Sequence, residues 1–408
     1  MRLRAQLPVY SPLPLGALAS GFGALLVRGA RDRVVERVRA ALTAAYHPAG
    51  LLLTDSGTSA LALALKLAAR ERPGPAALPA YCCYDIATAA DAAGVEFLLY
   101  DLDPATLGPD EASLRRALDA GAGTVVVAHL YGIPVDVPAV TALAHAAGAV
   151  VIEDAAQGAG VLFGDAPAGT LGRWGVLSFG RGKGVTGGRG GALLANAPAT
   201  VGAASSTVGD AFASQRDSLA AARTSLREPV ALFAQWLLAR PAVYGVPLSL
   251  PFLRLGETVY RAPAPAAHLS PFAASVLART IRLGAAEAER RRANAKRLLA
   301  AARLAPGLEL IDEQPDAVAG YLRLPLRAGA NARAAADQRS AHRLGIWPGY
   351  PRSLADLHGF GERRVPSADG YPGARELARR LITLPTHGRL GEADLVRLGR
   401  WMARGRPS

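Results

Sequence analysis

From about residue 50 to residue 200 the chain alternates short apolar runs with alanine-rich stretches of helical period. The runs predict strands over Leu51–Thr54, Ala76–Pro79, Glu96–Tyr100, Thr124–His129, Ala149–Glu153 and Val176–Phe179. Between them, helices fit Thr58–Arg70, Asp85–Ala93, Glu111–Ala120 and Pro138–Ala147, the last with proline in its first turn, where a missing N–H costs nothing. Strands joined by crossover helices specify an α/β fold with a mostly parallel central sheet flanked by helices. Ligands of such sheets bind beyond the carboxyl ends of the strands, and the conspicuous polar residues fall there.

After Gly191 the pattern loosens through Ser205–Arg227 and then turns apolar over Pro229–Leu253. A membrane-spanning helix needs roughly 20 nearly uncharged residues, and Arg240, Pro241, Pro247 and Pro251 interrupt this stretch. It is expected to be a buried or interface segment, with peripheral membrane contact as the alternative. The connector Arg261-Ala262-Pro263-Ala264-Pro265 is expected to separate a large domain, residues 1–260, from a smaller C-terminal α/β domain, residues 261–408. There the pattern predicts a long helical region over Pro271–Ala302, helices over Ala332–Leu344 and Gly373–Arg380, and strands over Tyr321–Pro325 and Leu381–Leu384.

Composition narrows the classes. Half of the 408 residues are hydrophobic, enough for two domains and contrary to global disorder. The two cysteines, Cys82 and Cys83, are adjacent, which rules out a disulfide framework and fits a reducing, cytoplasmic compartment. Met1–Pro14, broken by arginines and prolines, is not expected to act as a secretory signal. The net charge of +13 raises the question of nucleic acid, but the arginines are spread along the chain with one dense cluster at Arg290–Arg292. No zinc-finger or aromatic-basic motif accompanies them, so an anionic small substrate or a compositional bias toward arginine accounts for the charge. Nor do the histidines and cysteines take metal-ligand spacing, and no metal is expected.

Lysine occurs only at Lys66, Lys183 and Lys296. Lys183 sits in the glycine-rich segment Ser178-Phe179-Gly180-Arg181-Gly182-Lys183-Gly184, in a chain that otherwise uses arginine for positive charge. An arginine cannot lose its proton at accessible cost and condense with an aldehyde; a lysine can. Lys183 is therefore the candidate for covalent chemistry, against the plainer reading of a loop lysine that holds an anion by charge. Asp55-Ser56-Gly57-Thr58-Ser59-Ala60 follows a strand and opens a helix, where backbone amides, Gly57 and the Thr58 hydroxyl suit a phosphate; the same letters also read as an ordinary cap. Asp154 emerges from the apolar run Val151–Glu153 and suits a protonated pyridine nitrogen, with Gln157 reaching another edge of that ring; a helix N-cap is its alternative. Ser178 ends a strand and adds a donor for the phosphate. Phosphate cup, acidic ring partner and reactive lysine are the fixtures that pyridoxal phosphate requires.

Ser56–Leu61, Glu153–Gln157, Ser178-Phe179 with Lys183, and Gly188-Arg189-Gly190-Gly191 together resemble the DegT/DnrJ/StrS-type aminotransferases, as do Gly94–Asp103, Val127–Gly132 and Leu381–His387. The resemblance implies the fold type I pyridoxal phosphate-dependent transferase architecture and a homodimer with shared active sites. It implies Lys183 as Schiff-base lysine and proton carrier, Gly57, Thr58 and Ser178 on the phosphate, Asp154 on the pyridine nitrogen and Gln157 on the ring hydroxyl. Retention of lysine, where some relatives carry histidine and act as dehydratases, implies transamination by a ping-pong route. The amino donor would be glutamate and the acceptor a nucleotide-linked keto sugar, in polysaccharide or secondary-metabolite biosynthesis. Three departures stand out: Cys83 occupies the position of the ring that stacks on the cofactor, Arg189 replaces an acid, and Ala266–His268 lacks the usual asparagine and arginine. Tyr81, His129 and Arg189 are candidate substrate contacts, with a core role the alternative for His129. The alternatives for the whole chain are a degenerate cofactor-binding or regulatory protein and a peripheral membrane aminotransferase with a non-sugar acceptor.

Overall fold

A computed structural model of the chain describes residues 4–26, 30–196, 205–222, 225, 227–250, 260–360, 362–367 and 370–404. Two helices, α1 (Leu15–Leu26) and α2 (Ala30–Tyr46), precede strand β1 (Gly50–Thr54). The alternating region follows as α3 (Gly57–Glu71), β2 (Ala76–Pro79), α4 (Asp85–Ala93), β3 (Phe97–Tyr100), α5 (Glu111–Asp119), β4 (Thr124–Ala128), α6 (Val137–Ala146) and β5 (Val150–Asp154). A short hairpin of β6 (Leu162–Phe163) and β7 (Ala166–Pro167) leads to β8 (Trp174–Ser178) and β9 (Gly191–Ala195). Helices α7 (Ser205–Ser218), α8 (Arg227–Leu238), α9 (Gly245–Leu248), α10 (Pro271–Thr280) and α11 (Gly284–Ala302) come next. The remainder is β10 (Leu308–Leu310), β11 (Ala317–Val318), β12 (Leu324–Ala328), α12 (Ala330–Ala336), α13 (Arg339–His342), β13 (Trp347–Pro348), α14 (Pro372–Arg380), β14 (Leu381–Leu384) and α15 (Glu392–Arg404).

The main sheet has the order β1-β9-β8-β5-β4-β2-β3. Pairing is parallel from β8 through β5, β4 and β2 to β3, while β9 runs antiparallel to both β8 and β1. β1, β5 and β8 therefore all point the same way, and their carboxyl ends, Thr54, Asp154 and Ser178, share one edge. A second, antiparallel sheet has the order β10-β12-β14-β13.

Local chemistry explains the element ends. Ser56 caps α3 by accepting from Ser59 N, and Asp110, Asp136 and Ser270 do the same for α5, α6 and α10. α4 stops at Gly94, whose φ of 70° suits a residue without Cβ. The strands of the alternating region lie within two residues of their expected positions. The helical region Pro271–Ala302 is broken by a single 3₁₀ turn, Ile281–Leu283. Ala332–Leu344 divides into α12 and α13 at Asp337-Gln338. The strand expected at Tyr321–Pro325 lies three residues later, because Tyr321 takes φ 43°, a left-handed conformation outside strand geometry. Of the apolar stretch Pro229–Leu253, the part before residue 251 contains α8 and α9; residues 251–253 lie outside the described residues. Among the described residues no helix is long and apolar enough to cross a membrane.

Where β8 passes the loop before it, backbone packs on backbone: a Cβ on Gly175 would stand 1.9 Å from Gly169 O. Gly175→Ala is expected to lower stability by about 1–3 kcal/mol or more. Gly23→Ala, inside α1 with open space where its Cβ would go, is expected to raise it by about 0.5–1 kcal/mol. Denaturant titration of the two variants checks both signs.

Candidate active site

The β1–α3 turn is braced by its own side chains. Thr54 Oγ1 donates to Ser56 O (2.8 Å), Ser59 N to Ser56 Oγ (3.1 Å), and Ser59 Oγ to Asp55 Oδ1 (2.7 Å). With Ser56 and Asp55 so engaged, Gly57 and Thr58 open the helix toward the end of β8. A Cβ on Gly57 would meet Ser178 Cβ at 2.7 Å, so only glycine lets the helix start approach that strand end. The amides of this first turn lack partners within the helix, and the helix dipole adds partial positive charge.

Gly57, Thr58 and Ser178 form one wall of a narrow cleft of about 40 Å³. Cys83, Asp154, Gln157 and Lys183 line the same cleft, with Asp85. It shares Gly57, Thr58, Asp85, Ser178 and Lys183 with a basin of about 780 Å³ that extends to Arg181, Arg189 and the Arg261–Ala266 connector. Among the described residues the Lys183 amine has no hydrogen-bond or ion-pair partner. Asp154 Oδ1 accepts from Ala156 N (2.9 Å). Burial raises the Asp154 pKa above the usual carboxylate value, against the opposing pull of the Ala156 N–H and Lys183. A cation seated against it would reverse that shift. The Cys83 thiol is pushed up to about 12 by burial and by Asp85, so it stays neutral and offers a polarizable sulfur. Gln157 is fixed at both ends of its amide: Oε1 accepts from Tyr131 N (3.1 Å) and Nε2 donates to Tyr350 Oη (2.8 Å).

The other candidate residues have different surroundings. Tyr81 is fully buried and its hydroxyl accepts from Tyr350 N (2.8 Å). His129, also buried, pairs through Nε2 with Glu153 Oε1 (2.9 Å), while Val135 N donates to its Nδ1 (3.1 Å). Neither lines the cleft or the basin. Arg189 does line the basin, but it is engaged: Nη2 meets Asp55 Oδ2 at 2.5 Å and Nη1 meets Glu228 Oε1 at 3.1 Å. It ties α8 to the phosphate-type turn. His387 is buried against Leu7 O (3.0 Å), and burial lowers its pKa to about 4.

Sequence reasoning missed two supports. Glu153 Oε2 accepts from Leu171 N and Gly172 N (2.8 and 3.0 Å), so the residue before Asp154 is anchored on three sides. Arg291, from the cluster weighed for nucleic acid, is buried: Nε donates to Gly320 O (3.0 Å) and Nη2 to Ala159 O (2.6 Å). It lies against Gly184, the residue after Lys183, where a Cβ would come within 3.0 Å of its Nη1. An apolar strand ending in Glu-Asp was the only signal for the first, and nothing local marks the second.

The sheet thus gathers a lysine, a buried carboxylate and a helix start on one edge. The model of the DegT/DnrJ/EryC1/StrS aminotransferase family matches residues 23–217, a little under half of the chain. An L-glutamine:2-deoxy-scyllo-inosose aminotransferase from Micromonospora echinospora is 35% identical over 167 residues, 40% of this chain and 39% of that relative. The chain thus spans well under half the length of this curated relative. Among solved structures, the sugar aminotransferase CalS13 from Micromonospora echinospora superimposes with a TM-score of 0.75 at 22% identity, over 99% of this chain and 100% of that one. The Escherichia coli GDP-4-keto-6-deoxy-D-mannose-3-dehydratase with bound hydrated PLP gives 0.73 at 14%, over 98% and 100%. At such identities these two show the shared fold.

Burial raises the Glu153 pKa, but His129 and the backbone amides outweigh it and hold the group below the usual carboxylate value. Its contribution to stability is therefore complete above the unfolded carboxylate pKa and is lost as pH falls through the lower folded value. Glu153→Ala is expected to cost about 3–5 kcal/mol at neutral pH, because it strands the buried partners. The deficit relative to the native chain should shrink in melts taken toward pH 3.

Proposed function

We propose that the chain is a pyridoxal phosphate-dependent aminotransferase that moves an amino group to a keto acceptor of the keto-sugar or keto-inositol type. The carrying observation is that Lys183, Asp154, Gln157, Ser178, Gly57 and Thr58 all line one cleft, with no hydrogen-bond or ion-pair partner for the lysine among the described residues. The residues fit the cofactor: the Gly57–Ser178 approach leaves a cradle of backbone amides, and Asp154 is a desolvated carboxylate in want of a cation. The family-model match over residues 23–217 supports the same reading.

Pyridoxal phosphate, when bound, supplies an aldehyde that takes up amines and a ring that accepts the electron pair released at a substrate carbon. The Gly57 and Thr58 amides, the Thr58 hydroxyl and Ser178 Oγ would hold its phosphate at the positive end of α3. The Asp154 carboxylate, desolvated and short of a cation, would hold the protonated ring nitrogen. Lys183 Nζ takes the proton from the substrate carbon and returns it on the other side of the transfer. Neutral Cys83 lies where the family places a stacking ring and packs by sulfur. The reading includes a homodimer, whose second copy would close the basin along Arg261–Ala266, and a reducing cytoplasm, in keeping with the free thiols Cys82 and Cys83.

Borohydride reduction of the protein incubated with the cofactor should place a mass adduct on the peptide carrying Lys183, and Lys183→Ala should lose about 10²–10⁴-fold or more in turnover. Glutamate and glutamine offered separately as donors should bleach the visible absorbance, and the faster of the two is the donor. An adduct on another residue, or no chromophore at all, refutes the enzyme. A chromophore that neither donor alters favours the binding-protein alternative, to which the missing stacking ring at Cys83 gives weight.

A further inference from the structure

Gln157 is oriented by its neighbours. Tyr131 N is a backbone donor, so the amide atom facing it at 3.1 Å must be the oxygen. Nε2 then carries two hydrogens, and one goes to Tyr350 Oη at 2.8 Å. The second is left for the cleft that Gln157 lines beside Asp154 and Lys183. Tyr350 follows β13 of the C-terminal sheet and is itself fixed. Its N–H donates to Tyr81 Oη at 2.8 Å, and its ring stacks on Tyr131 with centroids 5.6 Å apart and planes at 24°. Gly349 allows this approach, since a Cβ there would lie 2.2 Å from Tyr81 Oη. Burial pushes the Tyr350 hydroxyl well above its ordinary pKa, so it stays protonated and can only accept from the amide or donate elsewhere.

We propose that Tyr350 is the positioning residue of the cofactor cleft: its hydroxyl locks the Gln157 amide so that one N–H is presented to the bound ring. The inference rests on the cofactor reading above. A donor N–H aimed at a ring oxygen favours the ionised form of that oxygen and lowers the pH at which the bound chromophore titrates. Through this one hydroxyl the C-terminal sheet tunes chemistry in a cleft to which it contributes no wall.

The test is a pH titration of the visible absorbance of the cofactor-loaded protein. Tyr350→Phe keeps the stacked ring and the backbone bond to Tyr81, yet should raise the midpoint by about one pH unit. Gln157→Ala should raise it by as much, and the double variant by no more than Gln157→Ala alone, because the two act as one unit. Gly349→Ala, which pushes the Tyr81 hydroxyl off the Tyr350 N–H, should shift it the same way by an independent route. Tyr84→Phe, in the same aromatic cluster with its hydroxyl on Arg352 O, should leave it in place. An unchanged midpoint in Tyr350→Phe, additive shifts in the double variant, or an equal shift in Tyr84→Phe overturns the proposal. A native chain that develops no visible absorbance refutes the cofactor reading instead, and so the two failures are told apart.

Discussion

At the ends of β1, β8 and β9 backbone meets backbone with no room for a side chain. Ser178 pairs with Gly191 across β8 and β9, Ser56 bridges Gly190, and a Cβ on Gly191 would stand 2.4 Å from Ser56 O. Together with Gly57 against Ser178, these contacts press the start of α3 onto the strand edge that carries Ser178. That approach decides where the free amides of α3 point, and with them where an anion can sit. The antiparallel insertion of β9 between β1 and β8 is what makes it possible, since it brings β1 to the edge where β5 and β8 also end.

Charge in this chain is spent mostly on architecture. Arg189 is neutralised by Asp55 and Glu228, which are themselves held by Ser59 and Ser270. Arg291 and Arg292 clamp the carbonyls of Ala159, Gly160, Ala319 and Gly320. Burial lowers the Arg291 pKa to about 10, but it remains charged at neutral pH and satisfies loop carbonyls that no strand pairs. A net charge of +13 therefore says little about nucleic acid here. Lysine's scarcity carries more meaning than arginine's abundance, because one of the three lysines lines the cleft.

The alternating region was legible because short apolar runs and helix-start chemistry are local signals: Ser56 and the first-turn proline of α6 mark helix starts in letters and in structure alike. The seven residues expected to serve catalysis or the cofactor, from Gly57 to Lys183, come together on one cleft because each ends or follows a strand that ends on the same edge. What was not legible depends on distance in sequence. Tyr350 reaches Gln157 across 193 positions and Arg291 reaches Ala159 across 132. The polar look of His129 at a strand end concealed a buried partner, Glu153, whose charge could not be assigned without seeing the neighbouring strand. The strand at Tyr321 was displaced by a left-handed residue that no periodicity reveals.

This separation has a consequence for how the site can vary. The walls of the cleft all lie within residues 57–183, inside the segment that matches the family, whereas the groups that brace it from behind, Arg291 and Tyr350, lie outside that segment. The walls tolerate little change, since Gly57 admits no Cβ without displacing Ser178 and Asp154 is desolvated. The braces act through single hydrogen bonds on loop carbonyls and one amide, and such bonds can be re-made by other residues from other positions. A chain can therefore keep the lysine, the carboxylate and the helix start while its C-terminal part diverges, and the property most open to that divergence is the shape of the basin beside the cleft.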